Sequence, residues 1–131
     1  MTQEDKELLL KDLCARLPYN VICQVEFKEN GKYNSKVMLL SGIFTDEAYF
    51  TTKGGSIYSN EYKPYLFPLS SMANEQKEKY CQLQQRIIYN SKGVVNKDVA
   101  EYINWCYKNH LDINALIPMG LAINATGLNI Y

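Results

Sequence analysis

Cys106, His110 and Asp112 come nearest, in type and spacing, to a reactive set in this chain. A cysteine and a histidine four residues apart share one face of a helix. A thiolate beside an imidazole is a workable nucleophile, and the pair is half of a metal site. Asp112 is close enough in sequence to orient His110 or to add an oxygen ligand. A plainer reading competes. Cys106 continues the apolar stripe of Val99 and Ile103, and His110 falls at the end of the same predicted helix, where capping and the helix dipole explain it. His110 is the only histidine, and no H-E-x-x-H or G-x-S-x-G pattern completes a catalytic set. The spacing therefore favours packing and capping, and we assign no catalytic, cofactor or metal residue.

Other candidates read the same way. Glu4-Asp5 and Asp46-Glu47 sit in terminal or turn contexts, where carboxylates are solvated. Gly54-Gly55 lacks the following helix that a phosphate cradle needs, because Ser56-Ile57-Tyr58 favours strand. Tyr49, Tyr58 and Tyr65 fall on neighbouring predicted strands and could stack bases. Lys28, Lys32, Lys36, Lys53 and Lys63 accompany them, but Glu26, Glu29, Asp46, Glu47 and Glu61 offset that charge.

Composition narrows the class. The chain has 131 residues, enough for one domain with one core, and we expect 1–131 to form it. Fourteen Lys and Arg balance 14 Asp and Glu, without the basic footprint of a nucleic-acid binder. No apolar run approaches the roughly 20 residues that span a bilayer, and the polar start Met1-Thr2-Gln3-Glu4-Asp5 is unlike a signal peptide. The expectation is a cytoplasmic protein without a membrane partner. Cys14, Cys23, Cys81 and Cys106 match no zinc spacing and read as free thiols. Tyrosine is abundant at 11 residues, which suits both a half-buried sheet and a protein interface.

The elements that must position these residues come in blocks. Thr2-x-x-Asp5 is a capping box, and Leu9, Leu10, Leu13 and Leu17 follow at helical spacing until Pro18. Val21, Cys23, Val25 and Phe27 alternate with Ile22, Gln24, Glu26 and Lys28 as a half-buried strand. Asn30-Gly31 signals a hairpin, and the return strand spans about Ser35 to Phe44. Its centre, Val37-Met38-Leu39-Leu40, reads as covered on both faces, and Gly42 marks a bulge. Further strands are expected at Ala48–Thr52, Ser56–Tyr58 and Tyr62–Phe67. Helices follow. Tyr80, Leu83 and Ile87 form a stripe within Asn74–Tyr89, which Asn90-Ser91-Lys92-Gly93 stops. Asn96 caps the next helix. Asp112 caps a turn through Ile113, Leu116 and Ile117, and the apolar tail packs back as an extended segment.

The pivot is Lys63-Pro64-Tyr65-Leu66-Phe67-Pro68-Leu69-Ser70-Ser71-Met72. Two prolines hold it extended and restrict it to a sheet edge or an extended connection. It hands the chain from strands to helices. Here, and at Leu13-Cys14-Ala15-Arg16-Leu17-Pro18-Tyr19, Trp105, His110, Asp112, Leu116-Ile117 and Gly120-Leu121-Ala122, the chain resembles a family of short uncharacterised proteins. They come from anaerobic gut bacteria and their phages and mobile elements. Ala73-Asn74 and Asn109 depart from that pattern, which has Thr and then acidic residues after Ser-Ser-Met and a second histidine near His110. The resemblance implies no activity, only the setting of an accessory protein.

Block order points to α+β rather than alternating βαβ. We expect an N-terminal helix, a curved antiparallel sheet of four to five strands forming a small half-barrel, then two to three C-terminal helices. The expected function is a non-enzymatic, protein-binding accessory factor of a phage or mobile element. Its expected contact ridge is Tyr62, Tyr65 and Phe67, with Trp105 and Tyr107 nearby. The alternative is a small nucleic-acid-binding domain using sheet tyrosines and lysines.

Overall fold

A computed structural model describes residues 1–44, 47–88 and 96–131. Thr2 opens α1 (Gln3–Arg16) with a complete capping box. Its hydroxyl accepts from the Asp5 N–H at 3.1 Å, and the Asp5 carboxylate accepts from the Thr2 N–H at 3.4 Å. Pro18 stops the helix. The chain tightens into one 3-10 turn at Leu17–Tyr19, and Asn20 reverses it with a φ of 58°.

Five strands follow: β1 (Ile22–Glu29), β2 (Lys32–Ile43), β3 (Ala48–Thr52), β4 (Gly55–Ser59) and β5 (Glu61–Leu66). Asn30 and Gly31 both take positive φ, 52° and 78°, as a two-residue type I′ hairpin demands. The register slips between Leu40 and Gly42, a bulge that bends β2. Two helices, α2 (Asn74–Ile88) and α3 (Asn96–Lys108), and a two-residue strand β6 (Ile123–Asn124) complete the order. The stop expected at 90–93 and the cap expected of the Asn96 side chain lie outside the described residues.

The strand order is β4-β3-β2-β1-β5-β6. β4 and β5 are consecutive, separated by Asn60 alone, yet β3, β2 and β1 lie between them in the sheet. A flat sheet cannot satisfy that connection, so the sheet curls. The Ser59 hydroxyl at the end of β4 donates to the Glu26 carbonyl on β1 at 2.6 Å and accepts from the Glu61 N–H at 3.0 Å. No ladder joins β4 to β1 or β5, and the sheet stays open.

The inner face carries Cys23, Val25, Met38, Leu40, Ala48, Phe50, Tyr62 and Leu66, with Leu9 and Leu13 of α1 packed into it. Burying each large aliphatic side chain contributes about 1.5–3 kcal/mol. A second cluster gathers Met72, Cys106 and Leu111 with Phe67, Tyr80, Tyr102 and Trp105, and fixes α2 and α3 to the pivot.

Several expectations are corrected. Among the described residues the sheet has six strands and is mixed, because β6 runs parallel to β5 through Tyr65↔Ile123 and Leu66↔Asn124. A strand of two residues leaves no period-two pattern to read. The centre of β2 is not covered on both faces, since Met38 and Leu40 point inward while Val37 is 49% exposed. Within the expected two to three, two helices follow β5 among the described residues, and 112–120 forms the expected turns, with Ala115 and Gly120 at positive φ. Pro64 does sit where β5 has one neighbour, because β6 reaches only Tyr65 and Leu66.

Candidate functional site

The ridge expected at the pivot is interior. Tyr62, Tyr65 and Tyr107 are each 9% exposed or less, and Phe67 and Trp105 are half-buried. Tyr62 faces inward at the β1–β5 ladder opposite Val25 and meets Phe50 at a tilt, ring centroids 5.3 Å apart. Phe67 pairs like a strand with the segment after α3: its N–H donates to the His110 carbonyl at 2.8 Å, and its carbonyl accepts from the Asp112 N–H at 2.9 Å. Trp105 packs 6.4 Å from Tyr80. The pivot aromatics therefore pack within the chain itself, Tyr62 on the sheet core and Phe67 against the segment after α3. Rigid aromatics in an extended segment fit a core as well as a surface, and sequence cannot separate the two.

The structure also takes the Cys106, His110 and Asp112 set apart. α3 ends at Lys108, and His110 follows in a left-handed conformation with φ 58°, so the helical relation to Cys106 is lost. Cys106 is fully buried, and burial pushes its thiol up to about 11, against thiolate formation. Asp112 is committed elsewhere. Its two carboxylate oxygens accept from the Leu116 N–H at 2.7 Å and the Ile117 N–H at 2.9 Å, which is the turn cap expected of it.

His110 instead stacks on Tyr131, with ring centroids 3.7 Å apart and planes 15° from parallel. The Tyr131 hydroxyl donates to the Tyr65 carbonyl at 2.8 Å and accepts from the Ile22 N–H at 2.9 Å. Cys23↔Pro64 is the last pair of the β1–β5 ladder, so this hydroxyl bridges the next rung. Burial, then the neighbouring Arg16 charge, lowers the His110 pKa to about 4, and its Nδ1 is buried without a hydrogen-bond partner among the described residues.

A buried ion pair on α1 escaped the sequence reading. Arg16 Nε donates to Asp12 Oδ2 at 2.6 Å, both side chains are wholly buried, and Arg16 Nη2 donates to the Leu111 carbonyl at 2.7 Å. Asn114 Nδ2 donates to Asp12 Oδ1 at 2.7 Å, and the guanidinium lies 4.7 Å over the Tyr107 ring. The signal was present as an i,i+4 Asp–Arg pair. Nothing in that spacing distinguishes a buried pair from a solvated one.

Exposed aromatic surface lies at the other end of the sheet. Tyr49 and Tyr58 oppose each other across β3 and β4 with rings 5.0 Å apart, and Phe44 adds a third ring 5.7 Å from Tyr58. Phe44 is 55% exposed and Tyr58 59%. Tyr58 also borders a cleft of about 600 Å³ shared with Tyr33, Lys28, Glu26, Glu47 and Glu61.

The base-stacking constellation does not assemble. Tyr49 and Tyr58 meet, but Tyr65 is buried at the β6 end of the sheet. Lys28 and Lys36 lie over the rings of Tyr33 and Phe27, at 5.9 and 5.6 Å. No helix among the described residues is long and apolar enough to cross a membrane. Compared with known proteins, the chain matches no family model, no curated protein and no solved structure.

Proposed function

We propose that this protein is a non-enzymatic, protein-binding accessory factor of a phage or mobile element, and that it meets its partner through Phe44, Tyr49 and Tyr58. The observation that carries the reading is that the Tyr58 ring packs against both Phe44 and Tyr49 while Phe44 and Tyr58 stay more than half exposed. Rings in the core cluster of this chain are covered, as Phe50 and Tyr62 are. Exposed, mutually packed aromatics offer a partner large area at low entropic cost, and Tyr is favoured at binding hot spots. The dispersal of Cys106, His110 and Asp112 into packing, stacking and capping supports a binding role over a catalytic one.

The test is capture from host lysate on immobilised protein, beside a Phe44→Ser/Tyr58→Ser double variant, with and without nuclease. A protein retained by the parent chain, resistant to nuclease and lost from the variant is the expected result. Retention that ignores both substitutions sinks the aromatic surface. Material retained only without nuclease moves the nucleic-acid alternative to first place. Both substituted side chains are largely exposed, so the variant should melt within a few degrees of the parent.

A further inference from the structure

The cleft between β4 and the outer half of β1 has features that restrict what it can take. β4 pairs with β3 on one side and with no second strand among the described residues, so its other edge keeps free backbone donors and acceptors. Its sequence, Gly55-Ser56-Ile57-Tyr58-Ser59, contains none of the lysines or prolines that usually protect an edge from strand addition. Tyr33, 74% exposed, and Tyr58 stand on the cleft walls.

The charge is one-sided. Glu26, Glu47 and Glu61 line the cleft against the single Lys28. Glu26 and Glu61 are direct partners across the β1–β5 ladder, where like charges repel. Among the described residues none of the three glutamates forms an ion pair. A cation between them would relieve that repulsion. The walls suit a cation too, since Lys28 already lies 5.9 Å over the Tyr33 ring. Arginine fits best, because a planar guanidinium both stacks on an aromatic face and bonds carboxylates in pairs.

We propose that this cleft docks an extended, arginine-bearing segment of a protein partner, laid along the free edge of β4 with its guanidinium groups among Glu26, Glu47 and Glu61. The inference rests on the protein-binding reading and specifies the partner's chemistry. It joins two recognition modes, strand addition for main-chain affinity and charge pairing for selectivity.

The test is a titration of nitrogen-15-labelled protein with three octapeptides: alternating Arg and Thr, alternating Glu and Thr, and alternating Arg and Pro. The Arg–Thr peptide should shift the amide signals of β4 and bind at least tenfold tighter than either other peptide. The Arg–Pro peptide has the same charge but half its residues lack the N–H that strand pairing uses. Glu26→Gln/Glu61→Gln should weaken Arg–Thr binding at least tenfold and leave the fold intact, since both side chains are exposed. Equal binding of the Arg–Thr and Glu–Thr peptides overturns the proposal, as does indifference to the glutamine substitutions. Arg–Pro binding as tight as Arg–Thr rules out pairing with β4. Concentration-dependent broadening of the β4 signals without peptide makes a second copy of the chain the occupant and overturns it too. Failure of the Arg–Thr peptide while Phe44- and Tyr58-dependent capture persists overturns this inference alone. Absence of any nuclease-resistant protein captured by the parent chain overturns the protein-binding reading.

Discussion

Arg16 shows how far a single residue can reach. Its guanidinium ties α1 to the Leu111 carbonyl and, through Asp12, to Asn114. Removing one partner of such a pair strands the other charge in a dry site, which costs about 3–5 kcal/mol. Arg16→Ala and Asp12→Ala should each lower urea-denaturation stability by that order. The double replacement Asp12→Leu/Arg16→Met should cost less than the two singles together, since it strands no charge. His110 gives a pH signature. Its folded pKa is about 4 against 6.5 when free, so between these values the unfolded state binds the proton and the folded state does not. Stability should therefore fall as pH drops from 6.5 to about 4, and this contribution is spent below 4. His110→Asn keeps a residue that tolerates the left-handed backbone but cannot titrate. Equilibrium unfolding of this variant should lack that slope, though it will be less stable at neutral pH for want of the stack on Tyr131. None of this was legible in the sequence. Asp12 and Arg16 showed a helical spacing, but their burial depends on Leu111 and Asn114, which only the fold brings near.

At the scale of elements, local rules carried well. The capping box at Thr2, the Asn30-Gly31 hairpin, the bulge at Gly42 and the Asp112 turn cap are each written within a few residues, and each is found. Thr2→Ala should cost about 1 kcal/mol, read as a lower thermal midpoint, because it unpairs the α1 terminus. What was not legible was long-range: β6, the inward turn of Tyr62, Tyr65 and Tyr107, and the Tyr131 bridge between β1 and β5. Tyr131→Phe removes that bridge but keeps the ring on His110. It should cost about 1 kcal/mol and speed amide exchange at Ile22, whose N–H donates to the hydroxyl at 2.9 Å. Unchanged exchange at Ile22 would contradict the bridge.

Across the whole molecule the chain divides its aromatics. One set, Phe50, Tyr62, Tyr65, Phe67, Trp105 and Tyr107, holds the sheet core and the helical half in place. Another, Phe44, Tyr49, Tyr58 and Tyr33, is left at the open end of the sheet. Composition reports only the total, so the tyrosine excess could not say which residues belong to which set. The single-residue link at Asn60 has a kinetic consequence. β1 to β4 form a meander in which every new strand pairs with the one before it, and each closure spans a short loop. β5 must instead return to β1, enclosing β2, β3 and β4 in the loop it closes, and loop entropy makes that the later event. Stopped-flow experiments should show substitutions in the β3–β4 hairpin, such as Ile57→Val, slowing refolding. Substitutions at the β5–β6 end, such as Ile123→Val, should mainly speed unfolding. A ribosome releasing this chain would then deliver a curled meander first. Its apolar inner face would stay uncovered along the β5 side until the pivot arrived, which makes the interval between synthesis of Ser59 and of Leu66 the aggregation-sensitive window of its biogenesis.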